Sequence, residues 1–88
     1  PVMKTIWKYP LEIADEQTLQ IPDGAQLLTV QSQDGAPCLW ALVDPEAETK
    51  LCVLQVFGTG NPVQDEGVYL GTFQVLQERF VGHVFLKK

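Results

Sequence analysis

Apolar and polar residues alternate along most of the chain with a repeat of two, which is typical of β-strands. In the opening segment, the odd-numbered positions from Met3 to Tyr9 hold mostly large side chains, whereas Lys4 and Lys8 occupy even-numbered positions. The same alternation recurs along the chain between turn residues. It predicts seven short strands, at residues 3–9, 18–21, 26–33, 37–43, 50–57, 67–75 and 80–86.

Turn residues separate these predicted strands. Asp34-Gly35 is the strongest hairpin signal in the chain, and Pro22-Asp23-Gly24 ends the second strand. Residues 37–43 and 50–57 are apolar on both faces, so we expect both strands to be central and covered. We expect residues 26–57 to form a meander of three strands in sequence order. In the sixth strand, simple alternation places Tyr69, Gly71 and Phe73 on one face.

The predicted fold class is all-β. We expect a small single-domain antiparallel sandwich or barrel of about seven short strands, with residues 1–88 forming one domain. Meander pairing would place Cys38 opposite Val56 and Cys52 opposite Leu42, which is too far apart for a disulfide. Two free thiols, with no run of about eighteen apolar residues, predict a cytoplasmic protein without a membrane-spanning helix.

Charge is unevenly distributed. The net charge of −5 argues against binding to a DNA or RNA duplex. All eleven acidic residues lie between Glu12 and Glu78, where Lys50 is the sole base, and the other five bases lie near the two ends. If the first and last strands are neighbours, an acidic protein carries one basic strip.

Residues suited to catalysis are few. The chain has one histidine and two cysteines that are not paired, which cannot supply the three or four ligands of a zinc site. We therefore expect neither an enzyme nor a bound metal or cofactor. The glycine loop at residues 57–62 has two interpretations: an anion-binding nest to which Thr59 and Asn61 contribute, or an ordinary turn between strands.

The outward faces of the first and last strands form the predicted ligand site, because bases interleaved with aromatic rings suit a planar anionic ligand. The predicted site comprises phosphate-pairing Lys4, Lys8 and Arg79, base-stacking Trp7, Tyr9 and Phe85, and hydrogen-bonding Thr59, Asn61 and His83. Trp7 and Tyr9, which alternate with the two lysines of their strand, have a second interpretation as core residues. Alternatively, the apolar members are buried in a subunit interface with the bases as a solvated rim. A homo-oligomer is expected in either case, since a small β domain leaves sheet edges exposed.

The run MKTIWKYPL at residues 3–11 resembles the opening of a small protein family of bacteriophages and prophages. The resemblance extends over most of the chain through PCLWALVD at 37–44, FGTG at 57–60 and HVF at 83–85. The family pattern has histidine where this chain has Asn61, and the change argues against a catalytic role there. The resemblance implies a phage gene product, and small phage proteins often antagonise host defence.

The function expected from these observations is non-catalytic. The chain is expected to act in the host bacterial cytoplasm as an oligomeric sponge, one that sequesters a cyclic nucleotide second messenger of anti-phage defence. The alternative is a protein-interaction module that docks a host or phage protein on the same surface. A hydrolase of the same nucleotides is a third possibility, which turnover of the ligand would reveal.

Overall fold

The computed structural model describes residues 3–75 and 79–88, and it is built from seven β-strands. The strands are β1 (Thr5–Pro10), β2 (Glu16–Pro22), β3 (Gln26–Gln33), β4 (Ala36–Val43), β5 (Thr49–Gly58), β6 (Val68–Val75) and β7 (Phe80–Leu86). This confirms the predicted all-β class, although β2 begins two residues earlier than expected. Within the described ranges, no helix is long and apolar enough to cross a membrane.

The strands form two antiparallel sheets. Sheet A has the order β1-β4-β3, and sheet B has the order β2-β5-β7-β6. The predicted central positions of β4 and β5 are confirmed. The predicted meander is wrong, because β4 pairs with β1 and β3 and therefore has no edge left for β5. Cys38 lies opposite Pro10 and Gln31, and Cys52 lies opposite Leu19, so neither cysteine has the predicted neighbour.

The hydrophobic core lies between the inner faces of the two sheets. Leu39, Ala41 and Val43 of β4 are completely buried, and Leu54 of β5 and Val84 of β7 are equally buried in sheet B. Full burial of one such aliphatic side chain contributes about 1.5–3 kcal/mol. The strict alternation of β4 and β5 therefore determines which face of each sheet turns inward.

The two sheets are joined along β3 and β6. A Cβ atom on Gly71 would lie 2.9 Å from Val30 Cβ and 3.1 Å from the Val30 amide nitrogen, so only glycine permits this approach. The Ser32 hydroxyl also donates a hydrogen bond to the Gln74 carbonyl at 2.7 Å. Together, the close approach and the hydrogen bond fix sheet A against sheet B along this side.

A β-bulge interrupts the alternation of β6. The register against β7 shifts between Tyr69 and Gly71, so Tyr69 faces outward whereas Gly71 and Phe73 face the core. The prediction that these three residues share one face is therefore wrong. The extra residue in β6 moves Tyr69 onto the outer face of sheet B, beside Phe85.

Candidate ligand-binding face

The predicted basic strip is divided between the two sheets. β1 is an edge strand of sheet A and pairs with β4, whereas β7 is an inner strand of sheet B between β5 and β6. The first and last strands are therefore not neighbours, and this expectation is wrong. β4 supplies a long apolar partner for β1, and β5 and β6 occupy both edges of β7.

The sheet A members of the predicted site face in different directions. Lys4 is exposed ahead of β1, and Lys8 donates a hydrogen bond from Nζ to Gln33 Oε1 at 2.6 Å. Trp7 and Tyr9 lie on the inner face of sheet A, where Trp7 remains 39% exposed at the sheet edge. These four residues do not form one surface with His83 and Phe85.

Tyr9 is buried at its polar end. Its hydroxyl is shielded from solvent and has no hydrogen-bond partner among the described residues. Burial, with a smaller contribution from nearby Cys52, raises the pKa of Tyr9 above its ordinary value. A neutral, enclosed phenol suits a core position better than a ligand contact.

The outer face of sheet B brings together three of the predicted residues, Thr59, His83 and Phe85. His83 Nε2 lies 2.7 Å from Thr59 Oγ1, and His83 Nδ1 lies 3.0 Å from Thr72 Oγ1. The Thr72 hydroxyl is also hydrogen-bonded to the Tyr69 hydroxyl. We call these four residues, Thr59, Tyr69, Thr72 and His83, the His83 network.

Strand register explains how this network forms. Thr72 of β6 lies directly opposite His83 of β7, so both side chains leave the same face of the sheet. The Thr59 amide donates to the Val81 carbonyl at 3.3 Å, which places the loop after β5 against the start of β7. Both ring nitrogens of His83 are therefore held by threonine hydroxyls, and the ring orientation is fixed.

Aromatic rings lie beside the His83 network. The Phe85 ring centre lies 5.7 Å from that of Phe57 and 5.4 Å from that of Tyr69, both in edge-to-face contact. Tyr69 is 55% exposed, whereas Phe57 and Phe85 are half-buried. We call these three residues the aromatic cluster. Its exposed ring surface, next to fixed polar groups, could receive a flat apolar group.

The glycine loop is a turn rather than an anion nest. The Asn61 amide donates to the Gly58 carbonyl at 3.1 Å, and Gly60 between them has φ +90°. Since the Thr59 amide is also occupied, these two amides cannot hold an anion. The exposed Asn61 side chain packs near Gly58, and among the described residues it makes no hydrogen bond to the His83 network.

Two bases, Arg79 and Lys87, flank β7 in the chain. Arg79 is exposed, with φ +52°, immediately before β7. Lys87 continues from β7 on the same side as Phe85, and its Nζ lies 3.3 Å from Glu16 Oε1. Arg79 therefore remains as the candidate phosphate partner, and Lys87 could take part after leaving Glu16.

Sequence reasoning missed three members of this face, namely Phe57, Tyr69 and Thr72. Phe57 is cross-strand to His83, and Thr72 is cross-strand to the same residue from the other side. Pairing the sixth and seventh strands as a hairpin would have found Thr72. The bulge hid Tyr69, since strict alternation puts Tyr69 and Thr72 on opposite faces.

The polar groups of the His83 network on this face are three hydroxyls and one imidazole. Within residues 3–75 and 79–88, no three His, Cys, Asp or Glu side chains converge in a way that could hold a metal ion. Hydroxyl and imidazole groups can recognise polar ligand atoms, and the aromatic cluster can contact a ring.

The fold and this face define a small antiparallel β domain with a polar–aromatic outer surface. The chain belongs to the family described as a domain of unknown function (DUF7352), whose model matches residues 3–88. No curated protein and no solved structure matches the chain.

Proposed function

We propose that the protein is a non-catalytic binding protein that sequesters a small nucleotide through the outer face of sheet B. The observation that carries the proposal is the fixed His83 ring between Thr59 and Thr72, beside the exposed ring of Tyr69. The proposed ligand is a cyclic nucleotide that acts as a second messenger of host defence. The phage setting is supported by the resemblance of the opening segment, MKTIWKYPL.

The chemistry of the face suits a base more than a dense cluster of phosphates. Tyr69 and Phe85 could contact the plane of a base. Such stacking does not depend on which base is bound, because every base has a π-face. The His83 network could exchange hydrogen bonds with the base edge or a ribose hydroxyl. Arg79 supplies positive charge for a phosphate, whereas Lys4 and Lys8 lie on the other sheet and are not part of this proposal.

The test is thermal melting of the protein against a panel of cyclic di- and trinucleotides, with intact ligand measured afterwards. A ligand at about 100 times its dissociation constant adds about 2.7 kcal/mol and should raise the midpoint by several degrees. Recovery of intact ligand would support sequestration. Ligand turnover would indicate an enzyme, and no shift across the panel would overturn the nucleotide proposal.

Two variants test whether the ligand occupies this face. His83→Ala should weaken binding about tenfold or more, because it removes both threonine contacts along with the imidazole. The matched control is Lys8→Ala, which removes a predicted phosphate partner from sheet A and should leave binding unchanged. The opposite result, loss with Lys8→Ala only, would move the site to sheet A.

A second candidate is a module that docks another protein on the same face. It is favoured by exposed apolar residues on the outer side of sheet B, where Leu51 is 67% exposed and Tyr69 55%. A protein partner should co-purify and bury about 1,000 Å² or more. Loss of that complex in Leu51→Asp, with nucleotide binding absent, would establish this alternative.

A further inference from the structure

One of the two edge strands of sheet A, β1, has an exposed apolar edge. β1 has one hydrogen-bonded neighbour in the described structure, β4, and its other side is unpaired. Ile6 of β1 is 56% exposed and Trp7 is 39% exposed, and Met3, just ahead of the strand, is 87% exposed. An unpaired strand edge lined with such residues is a template for another strand.

The alternation of hydrogen bonds along β1 shows which of its backbone groups point away from β4. The Leu11 amide donates to the Pro37 carbonyl at 3.0 Å, one position beyond the pair Pro10 and Cys38. In an antiparallel ladder, hydrogen-bonded positions alternate, so Tyr9 and Trp7 also bond towards β4. The backbone N–H and C=O groups of Ile6 and Lys8 therefore point away from the sheet and are free to pair.

The edge strand of sheet B on the same side of the molecule, β2, differs in its side chains. The Val56 amide bonds to the Asp15 carbonyl, so the outward backbone groups of β2 belong to Glu16, Thr18 and Gln20. These three side chains are exposed and polar. Because polar and charged residues discourage strand addition, β2 is a protected edge and β1 is not.

We propose that β1 pairs antiparallel with β1 of a second copy of this chain, in a register centred on Trp7. That register sets Ile6 opposite the partner's Lys8 and gives four backbone hydrogen bonds from the free groups of the two strands. It also brings the two Trp7 side chains together at a non-hydrogen-bonded position, where cross-strand contacts are closest.

Lysine repulsion disfavours two of the neighbouring registers. Centring the pair on Ile6 would set Lys4 opposite Lys8, and centring it on Lys8 would set two lysines face to face, which is repulsive. Centring on Trp7 sets Lys4 opposite Pro10 instead. Trp7 lies on the inner face and is partly exposed at the edge of sheet A. In the proposed dimer, Trp7 of the second copy covers this exposed part. Sheet A of one copy and sheet A of the other then form one six-stranded sheet with two-fold symmetry.

The test is the mass in solution, measured by sedimentation equilibrium of the complete chain. The wild type should have twice the 9.8 kDa chain mass at about 100 μM. Ile6→Pro removes an outward N–H, which an edge strand tolerates, and should raise the dimer dissociation constant about tenfold or more. The matched control Thr18→Pro removes an outward N–H from β2 and should leave the dimer intact.

A cross-link reports the register even where proline alters the fold. The variant Trp7→Cys should form an interchain disulfide under mild oxidation, since directly opposed residues lie within bonding reach. Thr18→Cys and the unmodified chain should not. A monomeric wild type, or a dimer retained in Ile6→Pro and lost in Thr18→Pro, would overturn the proposal. The proposal would also be overturned if the chain stayed monomeric alone and formed a complex only with a different protein.

The interface and the ligand face are separate, so their failures can be told apart. Ile6→Pro should retain nucleotide binding at the outer face of sheet B, and His83→Ala should retain the dimer. Loss of both properties in Ile6→Pro, with the fold intact by circular dichroism, would show that the ligand site lies at the dimer interface instead.

Discussion

The two sides of this β-sandwich are closed in different ways. Along β3 and β6 the sheets meet closely, with Gly71 against Val30. Along β1 and β2 each sheet ends in an outer strand, and Trp7 is left 39% exposed. The comparison shows that the closed side combines a close approach of the two backbones with one side-chain hydrogen bond, whereas the edges of the open side depend on their side chains for protection.

Gly71→Ala should have the largest effect on the closed side. The added methyl group meets Val30 backbone and side-chain atoms that cannot rotate away, so we expect the free energy of unfolding to fall by about 1–3 kcal/mol. Denaturant unfolding measures the loss. The control Gln31→Ala, at an exposed position of β3, should change stability by less than about 0.5 kcal/mol. Equal stabilities of the two variants would mean that the sheets do not meet at Gly71.

Ser32→Ala should weaken the same side by less. It removes the hydrogen bond to the Gln74 carbonyl, which lies at an exposed position where water can replace the donor. We expect a loss of about 0.5–1 kcal/mol, measured by the same unfolding experiment. Ser32→Thr keeps the hydroxyl and should retain most of the stability. A loss shared by both variants would assign the effect to packing instead of the hydrogen bond.

Tyr9→Phe tests the inner face of the open side and should have the smallest effect at neutral pH. The Tyr9 hydroxyl has no partner among the described residues, so its removal should leave stability unchanged or slightly higher. The wild type should lose stability as the pH rises above the ordinary tyrosine pKa of 10.0, because the unfolded chain ionises first. Unfolding at several alkaline pH values measures this slope.

The comparison for that experiment is Tyr69→Phe, which removes the other, exposed tyrosine hydroxyl. It should keep the alkaline loss of stability that Tyr9→Phe diminishes. An unchanged alkaline slope in Tyr9→Phe would contradict the assignment of the raised pKa to this phenol.

Local pattern predicted the strands well and their partners poorly. Alternation separated the two faces of β1, β4 and β7 correctly, but it left open which face of β4 turns inward, because both faces of that strand are apolar. The Asp34-Gly35 turn correctly paired β3 with β4, since a two-residue loop leaves no other choice. The longer 44–48 loop carries no such constraint, and the chain there crosses from sheet A to sheet B.

The candidate face was half predicted for the same reason. Thr59, His83 and Phe85 were named from residue type, and β7 does carry the last two on one face. Lys4, Trp7, Lys8 and Tyr9 were grouped with them only on the assumption that the chain ends lie side by side. Sheet order is decided by long-range packing, which a local pattern does not encode, and so β1 was assigned to the wrong neighbour.

The order of strands in the two sheets has a consequence for how the chain folds on the ribosome. Thr5 pairs with Val43, and Glu16 pairs with Gln55, so β1 and β2 are synthesised well before their partners. The β3–β4 hairpin can form first, since its strands are adjacent in the chain. Until that hairpin forms, β1 has no strand to pair with and its apolar side chains remain exposed. Slow folding and protection by chaperones are therefore expected for this topology.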